Sequence, residues 1–89
     1  MGRQLRMSRE GLAECVGKLR EFEETPSGDL MNEAYGATKL HLTGPDGEGA
    51  DLGECLDVTN FVRTLVRHGN DLAGVEGALR LIGVLVDGE

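Results

Sequence analysis

Apolar residues recur at helical spacing in the first quarter of the chain: Leu12, Cys15, Val16, Leu19 and Phe22 follow an i, i+3, i+4, i+7 order, with Leu5 one heptad before Leu12. Ser8 stands where an N-cap belongs. Thr25-Pro26-Ser27-Gly28-Asp29 supplies a stop, because the residue before a proline is driven out of helical conformation. The spacing therefore predicts a helix over residues 8–24. Over residues 30–42 the pattern is mixed. Leu30, Met31, Ala34, Ala37 and Leu40 suit a second helix, whereas residues 38–43 alternate as a strand does, with Leu40 and Leu42 on one side.

Residues 43–53 read TGPDGEGADLG, a glycine-rich acidic loop built on a Pro-Asp-Gly turn. Asp51 followed by Glu54 forms a capping-box pattern, so a helix is expected from about Leu52. Along it Val58, Phe61, Val62, Leu65 and Val66 make an apolar stripe, and Arg63, Arg67 and His68 gather where a helix C-terminus favours cations. At His68-Gly69-Asn70-Asp71 two signals compete. Gly69 looks like the residue that ends a helix and Asn70 or Asp71 like the next N-cap. Yet Val58, Leu65, Leu72, Leu79 and Val86 stay seven apart, with Phe61, His68, Val75 and Ile82 between them. The expectation is a helix kinked or interrupted at Gly69, since glycine in a helix interior costs about 1 kcal/mol relative to alanine. Residues 79–86 hold six large aliphatic side chains, more than one helix face accommodates. A second surface must cover them, either within a small bundle or on another chain; three of the six are β-branched, which leaves a terminal strand open.

These elements predict an all-α fold, a helical hairpin or a three-to-four-helix bundle, in one domain spanning residues 1–89. Residues 1–7 form a flexible basic N-terminus and residues 43–51 the central loop. The alternative is α+β, with a short hairpin near residues 37–56. Leu12, Leu19, Phe22, Val58, Phe61, Leu65, Leu72, Val75, Leu79, Ile82 and Val86 are the expected core and interface. A chain of 89 residues buries a smaller share of its surface than a larger domain does, so association with a partner or a second copy is expected to help it fold.

Charge narrows the partners. The formal net charge is −7, and the runs 21–33 and 46–57 each hold five acids and no base. Three aromatic residues and a surplus of acid offer neither the cationic surface nor the stacking platforms that nucleic acid requires. The longest uncharged apolar stretch, residues 81–86, is far too short to cross a bilayer, and no secretory h-region is visible near the N-terminus. The expected location is the cytoplasm, with secretion by a non-classical route as the alternative.

Candidate chemistry is sparse. The glycines of residues 44–53 miss the G-x-G-x-x-G spacing of a dinucleotide loop, and Asp46, Glu48 and Asp51 would repel a pyrophosphate. Read as a calcium loop, the same acids leave Ala50 and Asp51 in the wrong places. Ser8 and Ser27 are not in G-x-S-x-G, His41 and His68 are isolated in the sequence, and no catalytic residue, metal ligand, cofactor or small-molecule substrate is assigned. Cys15 is expected in the core. Cys55 is expected nearer the surface at a helix start, where the helix dipole would favour a thiolate. In a simple hairpin turning near Gly47 the two thiols would lie roughly 35 Å apart by helical rise, beyond disulfide reach.

With a helical first half, a glycine-bearing turn at mid-chain (Gly44-Pro45-Asp46-Gly47) and a heptad-patterned second half over residues 58–86, the chain resembles the small helical-hairpin proteins of the WXG100 (ESX-type) group. It has no tryptophan, hence no W-x-G turn, and no C-terminal Y-x-x-x-D/E signal, since Gly83 precedes Asp87 by four residues and Leu85 precedes Glu89. The expected function is a non-enzymatic protein–protein interaction module that self-associates, as a homodimer, or pairs with a helical partner through the apolar stripe. Two alternatives are an acidic inhibitor or decoy of the phage type, directed at a basic partner, and a small structural or accessory subunit of a larger assembly.

Overall fold

The computed structural model describes residues 3–87. The elements run β1 (Leu5–Ser8), α1 (Arg9–Glu24), α2 (Gly28–His41), β2 (Leu42–Thr43), α3 (Leu52–Arg67), α4 (Leu72–Leu81) and β3 (Val84–Asp87). The chain is mostly helical, and a small three-stranded sheet of order β2-β1-β3 fits the α+β alternative rather than an all-α fold. The β1–β2 pairing is antiparallel, with Met7 opposite Leu42, and β1–β3 is parallel, with Leu5 opposite Val84 and Met7 opposite Val86.

Each helix start is fixed by its own cap. Ser8 accepts from the Gly11 amide, Ser27 from Asp29 and Leu30, and Asp71 from Gly74; Asp51 and Glu54 close a reciprocal capping box. The mixed segment 30–42 resolves into both readings in turn, helix through His41 and then a two-residue strand, which an isolated bridge from Thr43 to Gly49 extends into the central loop. Gly69 takes a left-handed φ of 85° and its amide bonds the Val66 carbonyl, so the helix is interrupted there rather than bent.

Two expectations change with the sheet. Leu5, Arg6 and Met7 belong to the central strand and not to a flexible tail; Leu5 and Met7 are buried while Arg6 points out. The heptad register does not describe one rod: after Gly69 it continues on the short helix α4, and Val86, its last member, lies on β3. Gly83, with φ 91°, turns the chain from α4 into that strand. The core gathers the inner faces of all these elements, with Leu5, Met7, Leu12, Leu19, Leu42, Val58, Val62, Val75, Leu79 and Val84 fully enclosed.

Candidate interaction surface

Of the residues expected to line the apolar stripe, Leu12, Leu19, Val58, Val75 and Leu79 are buried, and Phe22, Phe61, Leu65, Leu72, Ile82 and Val86 are half-buried. The chain thus covers most of its own stripe, and the surface left for others lies elsewhere. Leu52 and Leu56, one turn apart at the start of α3, are 60% and 51% exposed, Leu40 on α2 is 74% exposed, and Leu81 at the end of α4 is 88% exposed.

The second open feature is the outer edge of β3. In a parallel pair, a residue bonds the two neighbours of its partner. Leu5 donates to the Gly83 carbonyl at 2.8 Å, so the groups of Gly83, Leu85 and Asp87 face β1. The amides and carbonyls of Val84 and Val86 then face away, and no strand among the described residues pairs with them. Edge strands are commonly protected by lysine, proline or a bulge. Val84-Leu85-Val86 carries none of these, and Asp87, bound to Arg6 at 3.3 Å, is its one charge.

Three polar groupings join separate elements of the fold. Arg3 binds Glu54 through Nε (2.8 Å) and Nη2 (3.0 Å) and also binds Glu48, so the chain ahead of β1, the central loop and the start of α3 are tied together. Hydrogen bonds from Arg3, then the Asp51 amide, hold the Glu54 carboxyl down to about 2. Glu48 is lowered first by its own backbone amide and then by Arg3. Gly44 leaves room for this clasp, since a Cβ there would run into both Glu48 and Arg3.

Around α1, Ser8 Oγ lies 3.4 Å from His41 Nδ1, and His41 Nε2 lies 3.9 Å from Glu14. The imidazole rests on Gly11, where any Cβ would overlap its ring atoms. In the sequence His41 stands isolated. Its pairing with Ser8 and Glu14 comes from the α1–α2 packing, and the Ser8 hydroxyl already serves as the acceptor for the Gly11 amide. The spacings are those of a clasp joining the end of α2 to the β1–α1 junction. His68 is the C-cap of α3, exposed, as its position at a helix end suggested.

The third grouping corrects the view of the cysteines. Cys15 Sγ lies 3.4 Å from Thr38 Oγ1, which lies 3.0 Å from Thr59 Oγ1, which is 2.8 Å from the Cys55 carbonyl. The two cysteine residues are therefore linked through Thr38 and Thr59 across α1, α2 and α3, not held at opposite ends of a hairpin, and both are free thiols. Cys55 is buried rather than near the surface, and burial pushes both thiols upward, away from a reactive thiolate. Thr38 also donates to the Ala34 carbonyl, so this inner polar seam is internally satisfied.

Among the described residues no group of three or more His, Cys, Asp or Glu side chains is arranged to hold a metal ion, and no helix is long and apolar enough to cross a membrane. The acidic surface is partly neutralised in place: Lys18 pairs with Glu33 at 2.9 Å and Arg67 with Glu23 at 3.7 Å, beside the Arg3 contacts. Comparison with protein-family models, with curated proteins and with solved structures returns no match.

Proposed function

We propose that this chain is a non-enzymatic protein-binding module that recruits its partner through backbone and apolar side chains left open at the end of the chain. The observation that carries this reading is the one-sided pairing of β3: its Val84 and Val86 amides and carbonyls face outward, without the residues that protect an edge. An added strand would satisfy those groups, and alternate side chains would give selectivity. The exposed Leu81 just before the strand supplies apolar surface beside it.

This reading moves the binding surface away from the heptad stripe, of which only the last member, Val86, lies on β3; the chain uses most of the rest for its own core.

The test is native mass spectrometry of the chain recovered from its own cells, compared with Val86→Pro, which deletes one outward amide and leaves the β1-facing amides of β3 in place. Wild type is expected in a complex, and Val86→Pro as a free chain of 9.5 kDa. Recovery of both as the free chain would overturn the proposal.

A further inference from the structure

We infer that residues 44–50 are a strap over the outer edge of β2, latched by Arg3 through Glu48, and that this strap lifts while the rest of the fold stays closed. It lies on the opposite side of the sheet from β3 and does not depend on what binds there. β2 pairs with β1 along one edge. Along the other, the chain returns on itself: Gly44 donates to the Glu48 carbonyl at 2.8 Å, Ala50 donates to the Leu42 carbonyl at 3.2 Å, and Thr43 stands opposite Gly49. The two groups that would otherwise point outward, the Leu42 carbonyl and the Gly44 amide, are thereby taken up. Covering an edge with a loop is one way in which a sheet avoids unwanted pairing.

The strap has little hold on the core. Residues 45–49 are exposed, and only Ala50, at the far end, is half-buried against the core. Leu42 beneath it is fully enclosed and stays with β1. A segment with few buried apolar contacts opens at a lower free energy than the core does.

Beyond its backbone bonds, the strap is fastened by charge. Arg3 grips Glu54 through Nε and Nη2, at 2.8 and 3.0 Å, and reaches Glu48 through Nη1. Glu54 is itself fixed at the start of α3 by its capping box with Asp51. Its side chain is 16% exposed, against 45% for Glu48. Arg3 is therefore a post set firmly on α3, and Glu48 is the catch that lets go. The two close directly over Gly44, where a Cβ would stand 2.5 Å from Glu48 Oε2 and 2.6 Å from Arg3 Nη1. A residue without a side chain at this place is what allows the latch to cross the strand edge. The two-point grip and the shared cation set this link apart from an isolated surface pair.

Hydrogen exchange of the full chain, followed amide by amide by NMR under native conditions, tests the strap. The Gly44 and Ala50 amides are expected to be protected, yet to exchange about ten-fold or more faster than those of Val16 and Val62 inside α1 and α3. Arg3→Ala and Glu48→Gln are each expected to raise the rates at Gly44 and Ala50 roughly three- to ten-fold relative to Val62. Taking the ratio to Val62 separates release of the strap from any loss of overall stability. Gly44→Ala keeps every charge and is expected to act in the same direction, because its methyl group displaces only the flexible ends of Glu48 and Arg3. Gly44 and Ala50 amides that exchange in step with Val62 would mean that the strap opens only with the whole chain, and unprotected ones that it is never closed. Either result overturns the inference, as does a ratio that Arg3→Ala or Glu48→Gln leaves unchanged.

Discussion

β1 and β3 are parallel neighbours of four residues each, and they invert what their sequences suggest. Leu-Arg-Met-Ser looks like part of a basic tail and Val-Leu-Val-Asp like the apolar end of a heptad-patterned helix, with a terminal strand left open, yet β1 is paired along both edges and β3 along one. In a sheet covered on one face, rank in the strand order matters more than apolar content. The central strand needs only every second residue to be apolar, because its other residues face out; Leu5 and Met7 are enclosed while Arg6 is exposed. β3 has more aliphatic side chains than its single covered face uses, and Leu85 and Val86 stay half open. The excess on β3 therefore leaves part of its aliphatic surface without a cover among the described residues.

The largest effect should come from the strand that looks least important. Leu5→Ala removes an enclosed side chain between α1, β3 and the rest of the core and is expected to cost about 2–5 kcal/mol. Leu85→Ala, on the outer face, is expected to cost about 1 kcal/mol or less in the single chain. Urea unfolding followed by far-UV circular dichroism, at a concentration where the chain is monomeric, measures both. Comparable losses at the two positions would mean that β3 is as much a structural strand as β1.

A smaller effect tests how β1 hands over to α1. Gly11→Ala forces a methyl group into the His41 ring and is expected to cost about 1–3 kcal/mol. Combining it with His41→Ala should restore most of that loss, because the obstacle is removed along with the ring. If the double variant is as unstable as the sum of the two single ones, the ring does not rest on Gly11, and the junction is held in another way. β3 has no counterpart to this clasp; its Arg6–Asp87 pair joins two side chains that are about half exposed, and such pairs contribute little.

The parts of the fold that local chemistry dictates were legible in the chain. Ser8 and the helix behind it, the Asp51–Glu54 box that opens α3, and the break at Gly69 each depend on residues within one turn of each other. β1 was not legible, because its strand state is decided by partners nearly the whole chain away, at Val84–Asp87, and Arg6 with the flanking Arg3 and Arg9, at every third place, masks a two-residue alternation. The link from Cys15 to Cys55 through Thr38 and Thr59 was hidden for a related reason: a hairpin picture keeps residues at their distance along a rod, whereas the connections after Glu24 and Thr43 fold α1, α2 and α3 back on one another. The open edge of β3 became visible only once strand order was known. Its raw material, a terminal aliphatic surplus demanding a second cover, was in the sequence from the start.

The smallest expected effect concerns how the chain just ahead of β1 is anchored, and it can be separated from the others by pH. Arg3 is the main reason the Glu54 carboxyl sits at about 2 in the folded chain, against its ordinary 4.5. Between those values the unfolded chain binds more protons than the folded one, so stability rises with pH. The Arg3–Glu54 contribution is fully present above about pH 4.5 and is lost as pH falls toward 2. Arg3→Ala removes the larger cause, leaving the Asp51 amide, and should return Glu54 toward its ordinary value. The melting temperatures of wild type and Arg3→Ala are then expected to differ most at neutral pH and to converge on acidification, with a shallower acid slope in the variant. A carboxyl titration of Glu54 by NMR reads the same shift directly. Two parallel curves down to pH 2 would show that Arg3 stabilises the chain without acting through Glu54, and β1 would owe its central place to the sheet and the core alone.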